Sequence, residues 1–384
     1  MKRILISAGE ASGELYAVGL MRALQKRMPD IEFFGVGGEA MKQAGCDVVV
    51  ESRHLSVVGI TEIVSHLPKL YGEFRKLIRE ADRRKPDAAI VIDSPAFNFK
   101  VAKELHARGV PVIYYVVPQL WAWREKRIAR FHKWIRKALV IFPFEERWYR
   151  ERGVDAEFVG HPLAEEQPTT RTREEFTEVF RLDARKDWIS LLPGSRSKEI
   201  KANFGTMFVG ASNFYPECEL AVVKAPGVPP DLFQESFDIR EPARGPSRAA
   251  YHLVSDAASF LKFSRAAVVA SGTATVQAAL AGTPFVIVYR VSPLTWRLGR
   301  GLLKVPFVGM PNLILGRKAV PELLQHDFTP ENVARELRPL LEDGPARERM
   351  VQDLQEVRQR LLAGSNSLPA AERAAEAVVR TLGW

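Results

Sequence analysis

A chain of 384 residues is too long for one ordinary core and predicts two domains, at roughly 100–200 residues each. Its 46% hydrophobic and 26% charged residues are ordinary for a globular protein, which excludes collagen-like and wholly disordered classes. A net charge of +9 favours acidic partners, whether nucleic acid, anionic lipid or a phosphorylated small molecule, without choosing among them.

The two cysteines, Cys46 and Cys218, supply neither a disulfide framework nor metal-ligand spacing, which suits a reducing cytoplasm. The apolar run at Ile4-Leu5-Ile6 is too short for a signal peptide. The most apolar stretch, Val110 to Trp123, contains Pro111, Pro118 and Gln119 and falls short of the roughly 18 apolar residues of a spanning helix, so no membrane crossing is expected.

In chain order, Ile4–Ser7, Glu32–Gly35, Ala88–Asp93, Val112–Val117, Ala138–Phe142 and Glu157–Gly160 read as strands. Several are continuous apolar runs, the pattern of parallel strands buried on both faces. Glu14–Lys26 and Phe74–Arg84 read as helices between them, and this alternation predicts a doubly wound α/β sheet. The polar stretch Glu165 to Arg173 reads as a linker. Strands then resume at Trp188–Leu192, Leu220–Val223, Ala267–Ala270 and Phe285–Tyr289. The expectation is two Rossmann-like domains, 1–163 and 164–364, facing a cleft that takes ligands at the carboxyl ends of the strands. A last helical stretch, 365–384, would pack back on the first domain.

Chemistry concentrates after the strands. The first runs into Ser7-Ala8-Gly9-Glu10-Ala11-Ser12-Gly13-Glu14, whose small residues let backbone N–H groups approach a ligand at a helix N-terminus. The dinucleotide fingerprint is absent there, and a merely tight connection is the plainer alternative. Asp93 ends an apolar strand, where partial desolvation suits a general base; the alternative is that Asp93 or Ser94 caps the helix opening at Pro95. The run from Arg124 to Lys137 carries seven cations with Phe131 and Trp134 among them, and reads either as a nucleic-acid surface or as a solvated helix face.

In the second half, Gly194-Ser195-Arg196 and Ser271-Gly272-Thr273-Ala274-Thr275 each follow a strand. Two such turns in one domain, with a guanidinium fork at Arg196, point to a nucleotide diphosphate held without a P-loop lysine. Ile63, Val64, Leu67, Leu70 and Tyr71 recur at helical spacing beside Lys69, Arg75, Lys76 and Arg79. They form either a core-facing stripe or an interfacial surface for acylated, phosphorylated molecules.

Taken together, the motifs resemble the lipid-A-disaccharide synthase family over almost the whole chain. The residues that carry the likeness are Ser7–Gly13, Val57-Val58-Gly59-Ile60, Ile92-Asp93-Ser94-Pro95, Trp121-Ala122-Trp123-Arg124 and Phe142-Pro143-Phe144-Glu145. They continue with Phe158-Val159-Gly160-His161-Pro162, Leu192-Pro193-Gly194-Ser195-Arg196, Ser271–Thr275 and Pro311-Asn312-Leu313.

The resemblance implies a GT-B glycosyltransferase, inverting and metal-independent, with no cofactor. It would join UDP-2,3-diacylglucosamine to 2,3-diacylglucosamine 1-phosphate, giving a β-1,6-linked tetraacyl-disaccharide 1-phosphate and UDP in lipid A biosynthesis. It further implies a homodimer, peripheral on the cytoplasmic face of the inner membrane, with an anionic membrane surface as partner and no nucleic acid. Position by position, Asp93 or Glu10 is the proton acceptor. Gly194, Ser195, Arg196, Ser271–Thr275 and Asn312 face the UDP diphosphate, and Gly9, Ser12, Gly13, Trp123 and Arg124 form the acceptor loops. Gln277 stands where the family commonly has an acid, which leaves open what meets the ribose. The rivals are another UDP-sugar transferase or epimerase of the same architecture, and a nucleic-acid-binding protein.

Overall fold

The computed structural model describes residues 1–55, 60–123, 125–165, 171–225, 227–235, 250–292, 296–297, 305–363 and 368–384, and only the backbone at Ala11, 60–67 and Glu235. The chain divides into two compact units, Met1–Glu165 with Leu361–Trp384, and Glu166–Arg360.

In the first unit the order is β1 (Lys2–Ala8), α1 (Ala11–Arg27), β2 (Ile31–Gly37), α2 (Glu39–Gln43), β3 (Cys46–Glu51) and α3 (Ile60–Arg84). There follow β4 (Ala88–Ile92), α4 (Pro95–Ala107), β5 (Val112–Tyr115), α5 (Leu120–Trp123), α6 (Ile128–Trp134), β6 (Lys137–Val140), α7 (Pro143–Arg150) and β7 (Ala156–Phe158). The seven strands pair in parallel in the order β3-β2-β1-β4-β5-β6-β7. All five residues of β4 are buried, as a strand covered on both faces requires. The stripe from Ile63 to Tyr71 and the stretch Phe74–Arg84 fall on one helix, α3, which accommodates Pro68 in its interior.

The second unit holds α8 (Arg173–Phe180), β8 (Asp187–Leu192), α9 (Ser197–Ala211), β9 (Cys218–Val223), α10 (Asp231–Glu235) and β10 (Tyr251–Val254). It continues with α11 (Ala257–Phe263), β11 (Ala266–Ala270), α12 (Thr273–Ala281), β12 (Phe285–Tyr289), α13 (Met310–Leu315), β13 (Glu322–Leu324) and α14 (Pro330–Leu341). Its six strands are again parallel, in the order β10-β9-β8-β11-β12-β13. The chain closes with α15 (Pro345–Leu362) and α16 (Ala370–Leu382), and α16 belongs to the first unit, where it packs on α1.

Both sheets therefore wind outward in two directions from a central pair. The strand order reverses between β1 and β4 in one unit and between β8 and β11 in the other. At such a switch point the connections leave on opposite faces, and a crevice opens at the carboxyl ends of the two strands. The glycine-rich and acidic motifs lie after these four strands. Among the described residues no helix is long and apolar enough to cross a membrane.

Candidate active site

In the first unit, Gly9 and Glu10 follow β1, and Asp93 follows β4, its parallel neighbour. Glu10 is exposed at the N-terminus of α1, while Ser12 is half-buried and Gly13 buried. A Cβ on Gly9 would come within 2.5 Å of Ser94 Oγ and 3.0 Å of Ser94 Cβ, so a larger residue would push the Ser94 side chain aside where the two strand ends meet.

Asp93 is half-buried with φ 48°, and Ser94 follows at φ 42°, two successive non-glycine residues in the left-handed region. Such conformations cost roughly 1–3 kcal/mol each and persist where the surroundings fix them. Here the Asp93 carbonyl accepts from Tyr114 Oη at 2.7 Å and from Asn98 Nδ2 at 2.8 Å. Asn98, fully buried, also donates to the Ile92 carbonyl at 2.9 Å and accepts from Ser7 Oγ at 2.7 Å, tying the end of β4 to β1. Ser94 occupies the N-cap position of α4 but makes no side-chain capping bond.

The loop after β5 is backed by α7. Tyr149 Oη donates to the Pro118 carbonyl at 2.7 Å, and Trp121 Nε1 donates to Glu145 Oε1 at 2.9 Å. Glu145 is buried, and burial raises its carboxyl to about 7. Trp123 is 48% exposed, whereas Arg124 lies outside the described residues. His161 is buried with its ring against Tyr16 and Phe142; burial lowers it to about 3, so it stays neutral. The seven-cation run is not one solvated face, because Lys137 lies within β6 and pairs with Asp155 at 2.7 Å and Glu157 at 3.1 Å.

Of the apolar stripe, the side chains of Ile63, Val64 and Leu67 lie outside the described residues. Leu70 is half-buried and Tyr71 is 59% exposed, beside the exposed cations Lys69, Arg75, Lys76 and Arg79.

In the second unit the turns after β8 and β11 sit side by side, because those strands pair directly. Gly194 has φ 124° and Gly272 φ 144°, values that need a residue without a Cβ. Glu199, in the first turn of α9, reaches back over the first turn. Its Oε2 accepts from the Ser195 and Arg196 N–H groups at 3.2 and 3.4 Å, and its Oε1 from Arg196 Nη1 at 3.1 Å. A diphosphate taken by these donors must displace or share this carboxylate.

At the second turn, Gly272 and Thr273 are exposed, Ala274 and Gln277 are half-buried, and Thr275 is buried with its hydroxyl on the Gly272 carbonyl at 2.8 Å. Ser271 Oγ donates to the Val308 carbonyl at 2.9 Å.

Asn312 is fully buried, and its amide is saturated inside the unit. Nδ2 donates to the Val320 carbonyl and Glu322 Oε1 at 2.9 and 2.8 Å, and Oδ1 accepts from the Ala319 and Val320 N–H groups, both at 2.8 Å. Glu322 in turn accepts from the Val308 and Gly309 N–H groups at 3.0 and 2.9 Å. Asn312 thus acts on the Ser271 turn through Glu322 and Val308.

The structure brings Gly9, Glu10 and Asp93 to one switch point, and Gly194–Arg196 and Ser271–Thr275 to the other. Sequence reasoning missed Asn98, Glu199 and Glu322. Only Glu199 carried a local signal, an acid three residues after the residue that precedes a helix.

Two doubly wound parallel sheets, each with its motifs at the switch point, define the GT-B fold. Solved structures agree on the fold: the glycotransferase of kitacinnamycin (TM-score 0.64, 14% identity, covering 99% of this chain and 98% of that one) and the S. aureus MnaA–UDP co-structure (TM-score 0.63, 15% identity, 100% and 97%). A family model described as lipid-A-disaccharide synthetase matches residues 4–378. Lipid-A-disaccharide synthase of Koribacter versatilis is 52% identical over 99% of this chain and 98% of its own length; that of Acidobacterium capsulatum is 44% identical over 98% and 96%. The chain belongs to the lipid-A-disaccharide synthase family, and so is a glycosyltransferase.

Proposed function

We propose that the protein transfers the 2,3-diacylglucosamine unit of UDP-2,3-diacylglucosamine to the 6-hydroxyl of 2,3-diacylglucosamine 1-phosphate, with inversion and without a metal. The observation that carries this reading is the pairing of roles with switch points. A carboxylate stands at one, while two glycine turns and an arginine fork stand at the other. Asp93 takes the proton of the acceptor hydroxyl as that oxygen attacks the anomeric carbon; Glu10, exposed after β1, is the alternative base. The anomeric bond to the diphosphate breaks on the opposite side, so the product is β-linked. Charge growing on departing UDP is met by the Arg196 guanidinium and by the backbone donors at Gly194–Arg196 and Ser271–Thr273.

The first unit then serves the acceptor through Gly9, Ser12, Gly13, Trp123 and Arg124, and the second serves UDP, with Gln277 beside the nucleotide. Because both substrates carry acyl chains, the 63–71 stretch of α3 with its cations docks on the anionic cytoplasmic face of the inner membrane. The protein works there as a homodimer. The test incubates purified protein with both lipids and follows UDP release and the disaccharide together. Acceptor-dependent release of UDP with formation of a β-1,6 tetraacyl product is expected. UDP release that ignores the acceptor, or C2 epimerisation of the donor, would refute it.

A further inference from the structure

The exit of β5 is strained and held from behind. Val116 follows the strand with φ 55°, a genuine outlier for a β-branched residue, and its N–H is fixed on the Leu139 carbonyl at 3.0 Å. The chain then passes through Pro118 into α5, whose last residue is the exposed Trp123. Three contacts from α7 hold this segment: Tyr149 Oη on the Pro118 carbonyl, Glu145 Oε1 on the Trp121 indole, and the Phe144 ring edge-on to Trp121 with centroids 5.0 Å apart.

Glu145 is the unusual member. It is 1% exposed, and among the described residues its hydrogen bonds come from neutral donors: the indole, and backbone N–H groups that include Phe142 on Oε2 at 3.3 Å. Burying an acid without a cation is costly, and an apolar residue would pack there more cheaply. A carboxylate does have one capacity the alternatives lack. It accepts on both oxygens at once and donates nothing, so it can join the N-terminus of α7 to an indole N–H on a different element. Burial also keeps its carboxyl near neutrality, so the join weakens when it gains a proton.

We infer that Glu145 is a positioning residue for the transfer, acting through the Trp121 indole to hold the segment 118–123 and so to set where Trp123 meets the acceptor sugar phosphate. The inference rests on the proposed transferase reading, in which Trp123 belongs to the acceptor loop. Glu145 touches no substrate; it fixes a loop that does.

The experiment uses the full chain with Trp121→Phe, which removes the indole donor but keeps an aromatic ring against Phe144, with Glu145→Leu and Glu145→Gln, and with the Leu/Phe double variant. Hydrogen exchange at 118–123 should quicken at least tenfold in Trp121→Phe and Glu145→Leu, with exchange in the second unit unchanged. Turnover should show KM for the acceptor raised about tenfold, kcat at saturation within threefold of the parent and UDP affinity within twofold. Glu145→Gln, which still accepts from the indole but sets an amide NH2 against the Phe142 N–H, should recover only part of the acceptor KM. The double variant should be no worse than the poorer single variant. An active parent whose Trp121→Phe form keeps its acceptor KM overturns the inference, as does equal loss of UDP affinity in every variant. If Glu145→Leu does not fold, Trp121→Phe decides alone. A parent inactive on both lipids refutes the transferase reading, whereas unchanged exchange in Trp121→Phe refutes the holding role itself.

Discussion

Asn312 offers the clearest separation of a ligand contact from a scaffold contact. Its amide makes four hydrogen bonds within the second unit, two donated and two accepted, which uses its full capacity. Asn312→Ala strips partners from the Ala319 and Val320 N–H groups, the Val320 carbonyl and one oxygen of Glu322. At about 1 kcal/mol per net hydrogen bond, the expected loss of stability is about 4 kcal/mol. For a unit of this size that lowers Tm by roughly 8–16 °C. Asn312→Asp should be no better, since it sets a second carboxylate against Glu322 and the Val320 carbonyl. Unfolding by heat and by urea measures the stability, and calorimetric titration with UDP below the lowered transition measures the site. Weakened UDP binding should accompany the stability loss, because Glu322 then no longer holds the Val308–Gly309 turn on which Ser271 rests. If Asn312→Ala stayed within about 1 kcal/mol of the parent while UDP binding collapsed, the amide would be a direct ligand contact and the scaffold argument would fail.

Four further outcomes follow from the same geometry. Asp93→Asn should fold normally and lose roughly 10²–10⁴-fold in turnover; near-parental rates in a folded variant, with Glu10→Gln inactive, would move the base to Glu10. Arg196→Lys keeps a charge but loses the fork, so UDP affinity should drop sharply, and unchanged affinity by calorimetry would place the diphosphate elsewhere. Glu199→Ala frees the Ser195 and Arg196 N–H groups from a competing carboxylate and should tighten UDP binding several-fold; weaker binding would show that the carboxylate shapes the turn rather than competes for it. Glu145 is raised from 4.5 to about 7, so the folded state holds a proton that the unfolded chain has released. Its contribution is present below pH 4.5 and lost as pH rises through 7, by about 3 kcal/mol. Urea unfolding of Glu145→Gln relative to the parent should therefore improve by that amount between pH 4.5 and 7.5, and a flat difference would mean the acid is not desolvated.

The fold was legible where strands are covered on both faces. Ten strands were read, several of them as continuous apolar runs, and the alternation implied two parallel sheets. The three that were not read, β3, β10 and β13, are edge strands; of the four edges only β7 was read. An edge strand is covered less completely, so its side chains need not be uniformly apolar, and Tyr251–Val254 and Glu322–Leu324 are indeed mostly half-buried. At the sites, glycines and charged residues after strands stand out because they break an apolar run. The residues that hold them do not. Asn98 meets Ser7 across 91 positions, and nothing in the local string around Asn98 signals that partner. Glu145 and Trp121 are 24 positions apart on two different helices. Local spacing can predict a cap or a turn, but a contact closed by the topology becomes visible only once the strands are ordered.

The same kind of side chain recurs in these holding roles, and its chemistry explains why. Asn98 grips the ends of β1 and β4, Asn203 donates to the Pro193 carbonyl beside the Gly194 turn at 3.0 Å, and Asn312 supports the Ser271 turn through Glu322. All three are buried. A strand that stops at a switch point leaves carbonyls and N–H groups that the ladder no longer satisfies, and each costs about 1–3 kcal/mol if buried unpaired. A primary amide donates without carrying a charge, so Asn98 and Asn203 can serve the carbonyls at these strand ends, and Asn312 donates and accepts at once; a carboxylate could not donate, and an ammonium would carry a desolvation penalty. Neutral holders have a second consequence. They leave the local field to the charged residues at the same strand ends, Glu10 and Asp93 in one unit and Arg196 with its partner Glu199 in the other. Exchanging a buried asparagine for aspartate at any of these three places therefore disturbs both the backbone it holds and the charge the site presents. Exchange for alanine disturbs the backbone alone, and comparing the two variants at each position separates geometry from electrostatics.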